Sequence, residues 1–224
     1  MIEAPFDATF SDIRIAAVKT GMLASQQVIE TVAAALRKYR PTFYVLDTVM
    51  VSKSEYRLLE EGAMTALRRE LFPMATVIMP NVYEAEALAG SEVRSLKDAE
   101  TAGRRLLDHG PAAVLVKVGH LINERATDVL VTDDGSETFP GEWIDTRHTH
   151  GTGCTYSAAI ATHLARGRSL SEAVRLSKAD VKKAIRSGIP IGEGVGPTDP
   201  FFYLRRDDVS VWTEHLGLDR SGDE

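Results

Sequence analysis

The chain has 224 residues, 44% of them hydrophobic, and its 26 basic and 32 acidic residues give a formal net charge of −6. A chain of this length can bury a substantial apolar core, which excludes a small domain held together by disulfides or metals. The negative charge argues against nucleic acids and anionic membranes as partners. The single cysteine, Cys154, cannot form an internal disulfide, and no apolar run is long enough for a membrane helix. We therefore expect a cytoplasmic protein with one domain over residues 1–204 and a charged tail over residues 205–224.

Short apolar runs alternate with amphipathic stretches along the chain. The runs predict strands covered on both faces, at 13–18, 43–46, 76–79 and 113–116. Helical periodicity predicts helices at 25–38, 55–71, 83–89, 97–109, 153–166 and 170–186. Ser25 is placed to cap the first of these helices, and Pro41 follows its end. Strand followed by helix, repeated, predicts an α/β fold with an open, mostly parallel sheet flanked by helices.

Two weaker strand patterns, at about 127–132 and 136–144, are separated by Asp133, Asp134 and Gly135. Asp-Gly between apolar runs favours a tight turn, so we expect the sheet to end in an antiparallel hairpin. Only a fragment of helix precedes the first predicted strand. We therefore expect a sheet that is N-terminally truncated and lacks an edge or its centre.

Polar or ionisable residues follow each of the first four predicted strands, in segments 19–22, 47–53, 80–86 and 117–120. Open α/β sheets bind ligands at the carboxyl ends of their strands. Asp47 can orient a substrate or a metal there, or simply form a turn. Lys53 and Lys117 can neutralise phosphate or solvate a surface. Glu84 can hold Mg²⁺ through water, although an acidic residue also stabilises the first turn of a helix.

The densest signal is Gly151, Thr152, Gly153 and Cys154, which open the helix predicted at 153–166. The two glycines let the backbone approach a ligand, and a helix N-terminus offers N–H groups and partial positive charge to an anion. A thiolate is favoured in the first turn of a helix, so Cys154 is a candidate for removing a proton from a substrate hydroxyl. The alternative is a glycine-rich turn that packs the helix on the sheet beside an inert cysteine.

Other common motifs are missing from the sequence. There is no GxxxxGK[ST] phosphate loop and no GxGxxG after a predicted strand. His148 and His150 have no third ligand at helical spacing, and no HExxH occurs, which argues against zinc. Met22 and Val49 can form an apolar wall beside a ring or belong to the core.

Taken together, five motifs resemble those of the hydroxymethylpyrimidine/phosphomethylpyrimidine kinases of thiamine biosynthesis, in the ribokinase-like superfamily. They are VKTGM at 18–22, DTVMVSKS at 47–54, PNVYEAE at 80–86, VKVGH at 116–120 and THGTGC at 149–154. The similarity runs in order from about residue 6 to Phe202. Gly-Thr-Gly-Cys, where pyridoxal and sugar kinases have Gly-Thr-Gly-Asp, favours the pyrimidine branch.

The resemblance implies ATP-dependent phosphorylation of 4-amino-5-hydroxymethyl-2-methylpyrimidine and of its monophosphate, with Mg²⁺, and it allows a homodimer. It implies a catalytic anion hole formed by Gly151, Thr152, Gly153 and Cys154. In that arrangement Cys154 stands where the family's proposed base lies, and Lys53 faces the phosphates from the substrate side. It implies nucleotide contacts from Asn81, Glu84, Lys117 and Thr149, with Glu84 also on the metal side. It implies a pyrimidine pocket lined by Met22, Val49 and Asp47, and a loop at 192–197 near the nucleotide base.

The chain also departs from the family pattern. The family's glycine- and aspartate-containing first strand-loop, the strands that cover the substrate and a glutamine that contacts the pyrimidine have no counterpart. Thr48 replaces a usual proline, and Glu55 and Val118 replace usual glycines. Two alternatives therefore stay open, a non-catalytic nucleotide- or pyrimidine-binding protein and a pyridoxal or pyridoxine kinase of the same fold.

Overall fold

The computed structural model describes residues 3–50, 62–119 and 126–205, and it contains one six-stranded sheet. The strands are β1 (Ala17–Thr20), β2 (Phe43–Leu46), β3 (Val77–Ile78), β4 (Val114–Val118), β5 (Thr127–Thr132) and β6 (Gly135–Phe139). They lie side by side in chain order. The pairings from β1 to β4 are parallel, and those of β4 with β5 and β5 with β6 are antiparallel. The predicted open, mostly parallel sheet and its terminal hairpin are confirmed.

Seven α-helices accompany the strands within the described ranges. They are α1 (Glu3–Asp12), α2 (Gln26–Tyr39), α3 (Ala63–Ala66), α4 (Val82–Ala89), α5 (Leu96–Leu107), α6 (Thr152–Ala165) and α7 (Leu170–Arg186). A π-helical turn at Leu67–Leu71 and a 3₁₀ turn at Phe72–Met74 continue α3, and a second 3₁₀ turn covers Phe202–Arg205. None of the helices in the described part of the chain is both long and apolar enough to cross a membrane.

The second helix forms as its sequence predicts. The hydroxyl of Ser25 accepts a hydrogen bond from the Val28 N–H at 3.3 Å, which satisfies one of the donors left free at a helix start. Arg40, in the left-handed conformation with φ of 46°, ends the helix by donating its N–H to the Leu36 carbonyl. The buried stripe of α2 is Ile29, Val32, Ala33, Ala35 and Leu36.

Helices cover the two faces of the sheet in two groups. The crossover face is covered by α2 to α5, which connect successive parallel strands. Its fully buried side chains include Ile29, Leu46, Leu71, Phe72 and Leu106. The terminal-helix face is covered by α6 and α7, which follow the hairpin. Its buried side chains include Val45, Val77, Leu115, Ile160 and Leu164. This arrangement brings the N-terminus of α6 to the carboxyl ends of the parallel strands.

Three predicted boundaries are wrong. The first strand is Ala17–Thr20 rather than 13–18, because only from Ala17 does the chain pair with β2; Ile13 is 55% exposed. The last strand ends at Phe139 rather than 144, because Pro140 follows and has no N–H for the ladder. The helix predicted at 55–71 changes to a π-helical turn at Leu67. Its start at 55–61, Lys53 and most of the predicted tail lie outside the described residues.

Candidate functional site

Lys117 and Asp47 meet at the carboxyl ends of the strands, on the terminal-helix face. Asp47 follows β2 and donates its N–H to the Thr20 carbonyl, while the Lys117 N–H donates to the Pro80 carbonyl. The Lys117 Nζ lies 2.6 Å from the Asp47 Oδ1. Four strand ends thus converge on one ion pair, as the polar segments after the strands predict.

This ion pair is largely removed from solvent. The Asp47 side chain is 1% exposed and that of Lys117 is 17% exposed. Burial lowers the pKa of Lys117, but the Asp47 and Glu84 carboxylates outweigh it and hold that pKa above its ordinary value of 10.5. Lys117 therefore keeps its positive charge at neutral pH.

The N-terminus of α6 lies directly over the pair. Gly151 precedes the helix with φ of 83°, a left-handed conformation that favours glycine. A Cβ at Gly153 would lie 3.5 Å from the Asp47 Oδ2 and 3.7 Å from the Lys117 Nζ. The first N–H groups of a helix have no intrahelical acceptor, so those of Gly153 and Cys154 are available to an anion. Lysine charge and helix N-terminus together favour a phosphate here.

Two further contacts fix this turn. The Thr152 hydroxyl donates to the Thr149 carbonyl at 2.7 Å, which closes the turn before the helix. One turn into α6, the buried Ser157 hydroxyl is 3.3 Å from the Asp47 Oδ2. Both Asp47 oxygens therefore contact the protein itself. Cys154 is exposed to solvent beside these groups.

Glu84 stands on the other side of Lys117, in a capping box at the start of α4. The Asn81 side chain accepts from the Glu84 N–H at 2.9 Å, and the Glu84 Oε2 accepts from the Asn81 N–H at 2.8 Å. The Thr48 hydroxyl donates to the same Oε2, and the Met50 N–H donates to Oε1, both at 3.3 Å. Burial raises the pKa of Glu84, and nearby Lys117 opposes that shift. Thr48, in place of the family's proline, supplies a donor that proline lacks.

The residues before α6 pair with the loop predicted to lie near the nucleotide base. The His150 N–H donates to the Gly196 carbonyl, and the Thr198 N–H donates to the His150 carbonyl, both at 3.0 Å. The Arg147 guanidinium donates to the carbonyls of Gly192 and Glu193. The loop at 192–197 is therefore held against the start of α6.

Two of the residues expected at the pyrimidine side follow β2, and the third follows β1. Val49 lies with Gly21, Leu23, Asp47, Thr48 and Leu67 around a small gap. Met22 is 57% exposed and does not line that gap. Lys53 lies outside the described residues. Nor does the described part of the chain contain a cluster of three or more His, Cys, Asp or Glu side chains suited to a metal ion.

Sequence reasoning missed a further buried carboxylate, which lies across the β4–β5 ladder from Lys117. Asp128 on β5 is 5% exposed and lies opposite Lys117 in the β4–β5 register. Its Oδ2 accepts from the Lys178 Nζ at 2.6 Å and from the Tyr156 hydroxyl at 3.1 Å. The available signals were an aspartate directly before the apolar run 129–131 in β5, and a lysine four residues after buried Val174 in α7.

The model of the family described as phosphomethylpyrimidine kinase matches residues 1–199 of this chain. A thiamine biosynthesis bifunctional protein of Geobacter sulfurreducens is 42% identical over 193 residues, which are 86% of this chain and 39% of that protein. A hydroxymethylpyrimidine/phosphomethylpyrimidine kinase of Staphylococcus aureus is 38% identical over 208 residues, which are 92% of this chain and 75% of that kinase. The chain thus spans well under half of the bifunctional relative and three quarters of the kinase.

Solved structures give the same relationship. The phosphomethylpyrimidine kinase of Clostridium difficile aligns with a TM-score of 0.72 and 38% identity, over 82% of this chain and 75% of that one. An ADP complex of Bacillus subtilis pyridoxal kinase aligns with a TM-score of 0.84 and 35% identity, over 92% of this chain and 78% of that one. These matches confirm the ribokinase-like fold and the resemblance drawn from the five motifs. The chain belongs to the phosphomethylpyrimidine kinase family, a family of phosphotransferases.

Proposed function

We propose that this chain transfers the terminal phosphoryl group of ATP to the hydroxymethyl oxygen of 4-amino-5-hydroxymethyl-2-methylpyrimidine, and then to the resulting monophosphate. The observation that carries the proposal is the Lys117–Asp47 pair lying against Gly153 at the N-terminus of α6. Phosphoryl transfer needs positioning and neutralisation of negative charge more than it needs covalent chemistry from the protein. A buried lysine and free helix N–H groups provide that neutralisation without reorganising during the reaction.

In this proposal some residues fix the position of Lys117, and others neutralise the charge of the phosphate groups. Asp47 is a positioning residue in this proposal, because both of its oxygens contact the protein and its carboxylate fixes the Lys117 ammonium. Lys117 binds phosphate oxygens of the nucleotide, and the N–H groups of Gly153 and Cys154 bind the transferred group. The Asn81–Glu84 capping box and Thr149 flank the nucleotide.

Glu84 fits a metal through water. Its Oε2 accepts hydrogen bonds from Asn81 and Thr48 and its Oε1 accepts one from Met50, and the residue is only 4% exposed. Mg²⁺ favours carboxylate oxygens but retains several of its waters, so a water-mediated contact suits both groups. When bound, Mg²⁺ would supply further neutralisation of the phosphate oxygens.

Cys154 is the proposed base for the acceptor hydroxyl. Its side chain is exposed in the first turn of α6, next to the N–H groups that would hold the transferred phosphoryl. As the acceptor oxygen bonds to the γ-phosphorus, the bond from that phosphorus to the ADP oxygen breaks, and the hydroxyl proton passes to the thiolate. In the Cys154→Ala variant, turnover should fall about 100-fold, while the affinity for ADP stays close to that of the wild type. Unchanged turnover would contradict the assignment of Cys154 as the base.

The deciding experiment supplies the purified chain with ATP, Mg²⁺ and one acceptor at a time: the hydroxymethylpyrimidine, its monophosphate or pyridoxal. Phosphorylated products are then separated and quantified. We expect product from the pyrimidine and from its monophosphate at rates well above that from pyridoxal.

Pyridoxal is the second candidate acceptor because the Bacillus subtilis structure of high similarity is a pyridoxal kinase. Faster turnover of pyridoxal than of the pyrimidine would reassign the acceptor. ADP binding without any product would instead favour a non-catalytic nucleotide-binding protein.

A further inference from the structure

A second buried ion pair lies next to Lys117 and has no role in the mechanism above. It joins Asp128 on β5 to Lys178 in the middle of α7, with 2.6 Å between Oδ2 and Nζ. The Asp128 side chain is 7% exposed and that of Lys178 is 17% exposed, close to the values for Asp47 and Lys117. Burying four charged groups carries a large desolvation cost, and removing one partner of such a pair leaves the other charge uncompensated.

The fold makes room for the Lys178 side chain. At Gly141, a Cβ would lie 2.8 Å from the Lys178 Cε and 2.5 Å from the Ala126 carbonyl oxygen. Any larger residue there would push the lysine stem away from β5. The segment after β6 therefore leaves a passage through which Lys178 reaches Asp128.

Asp128 also connects the elements that build the phosphate site. Its Oδ1 accepts from the Val118 N–H at 3.3 Å, at the end of β4. Its Oδ2 accepts from the hydroxyl of Tyr156 on α6, as well as from Lys178. Burial raises the pKa of Tyr156 well above its ordinary value, and the Asp128 charge adds to the shift, so the hydroxyl remains a donor.

Three carboxylates attract Lys117 in this arrangement, those of Asp47, Glu84 and Asp128, and two of them lie on the terminal-helix face. Asp47 holds its ammonium at 2.6 Å, toward Gly153 and the start of α6. Asp128 lies opposite Lys117 across the β4–β5 ladder, where cross-strand side chains on one face are neighbours. Lys178 forms an ion pair with the Asp128 carboxylate and so reduces the attraction of that carboxylate for Lys117.

We propose that Lys178 is a positioning residue for phosphoryl transfer: by neutralising Asp128 it keeps the Lys117 ammonium directed at Asp47 and the N-terminus of α6. The inference rests on the proposed function only for the role of Lys117 as a phosphate ligand. Without Lys178, the bare Asp128 carboxylate draws Lys117 along β4 and away from the phosphate. Removing Lys178 therefore takes no contact away from Lys117; it frees the Asp128 carboxylate to attract Lys117 in competition with Asp47.

The test measures the ADP dissociation constant by calorimetry in four variants, together with the thermal midpoint of each. Lys178→Met should weaken ADP binding about tenfold, the scale of coupling within a charged network. Asp128→Asn alone should bind ADP about as well as the wild type, because the competing charge is gone. The double variant Asp128→Asn/Lys178→Met should recover wild-type affinity. Lys182→Met is the matched control, since Lys182 lies one turn further along α7 and pairs with the more exposed Glu142.

A pair that only stabilises the fold would give a different pattern. Lys178→Met would then lower the thermal midpoint while ADP affinity stayed constant, or the double variant would bind ADP as weakly as the single one; either result overturns the proposal. Should Lys178→Met not fold, Lys178→Gln removes the same charge with less disruption and is judged by the same criteria. Because ADP affinity needs no acceptor, a wild type that binds ADP but phosphorylates nothing would refute the proposed function and leave this test intact.

Discussion

The two faces of the sheet are built from different chemistry. On the crossover face, α2 to α5 pack a continuous apolar cluster that includes Ile29, Leu46, Leu71 and Phe72. On the terminal-helix face, a smaller apolar cluster under α6 and α7 gives way to buried charges at the carboxyl ends of the strands. The first face serves stability, and we propose that the second holds its buried charges for a phosphate, at some cost in stability.

Helices on both faces begin at the carboxyl ends of the strands, so the difference lies in what each helix start contacts. On the crossover face, α4 begins with the Asn81–Glu84 capping box, and the helices then bury apolar stripes over the sheet. On the terminal-helix face, the start of α6 lies against the Lys117–Asp47 ion pair, and we propose that the two form one anion site. Removing one partner of a buried pair leaves an uncompensated charge, so substitutions on this face should affect both stability and function.

The largest effect is expected from Lys117→Met. Removing the ammonium takes away a preorganised phosphate ligand, and turnover should fall by about 100- to 1,000-fold. It also leaves the Asp47 carboxylate buried without its partner, which should cost about 3–5 kcal/mol of unfolding free energy. Turnover at saturating substrate and denaturant unfolding measure the two losses separately.

A double variant distinguishes function from stability at this pair. Asp47→Asn/Lys117→Met removes both charges, so most of the lost unfolding free energy should return while turnover remains low. If turnover recovered along with stability, Lys117 would be a structural residue, and the contrast between the two faces would fail.

Gly153→Val should have the next largest effect on turnover. A single Cβ has ordinary contact distances of 3.5 Å to Asp47 and 3.7 Å to Lys117, so the Gly153→Ala variant should fold normally. The two further methyl groups of valine occupy space next to the charged pair, and turnover should fall about 100-fold. Ala158→Val is the matched control, because Ala158 is an exposed position on the same helix. Full activity of Gly153→Val would refute the proposed phosphate site.

Leu71→Ala examines the apolar face. Leu71 is fully buried there, and its truncation should cost about 2–5 kcal/mol of unfolding free energy while the ADP dissociation constant stays unchanged. Leu164→Ala makes the same change on α6, where Leu164 is 2% exposed. Because α6 carries the proposed anion site, this second variant should lose ADP affinity as well as stability. Equal effects of both variants on ADP affinity would show that the faces are not functionally distinct.

The sequence was sufficient to predict the sheet and the convergence of several polar residues at one of its edges. Strands 43–46 and 127–132 and the helix from 170 to 186 have their predicted bounds, because their hydrophobic periodicity is uninterrupted. Lys117, Asp47 and Gly153 converge as expected, since parallel topology brings polar residues after successive strands to one edge.

What sequence reasoning could not supply is pairing across distant segments. Nothing local to Lys178 indicates that it reaches Asp128, fifty residues earlier in the chain. The contact depends on the packing of α7 over the hairpin and on the space at Gly141. The boundary of β1 was missed for a related reason, because an edge strand is defined by its partner and the apolar residues before it carry no such information.

Asp7→Asn should have the smallest effect on turnover, ADP affinity and stability, because it changes a residue outside both faces of the sheet. Asp7 on α1 accepts hydrogen bonds from Lys38 at 2.8 Å and from Tyr39, next to the stacked rings of Phe10 and Tyr39. All three polar groups lie at the surface, where ion pairs contribute little, so turnover and ADP affinity should not change. The hydrogen bonds from Lys38 and then Tyr39 lower the pKa of Asp7 below its ordinary value of 3.8.

A lowered carboxyl pKa stabilises the fold above the unfolded-state pKa, and the stabilisation is lost as the pH falls through the folded-state value. The variant should therefore be slightly less stable than the wild type at pH 7, and the difference should disappear as Asp7 becomes protonated below pH 3.8. Denaturant unfolding at a series of pH values measures it. A loss of ADP affinity in Asp7→Asn would show that α1 communicates with the terminal-helix face, and the division between a stabilising and a functional face would then be wrong.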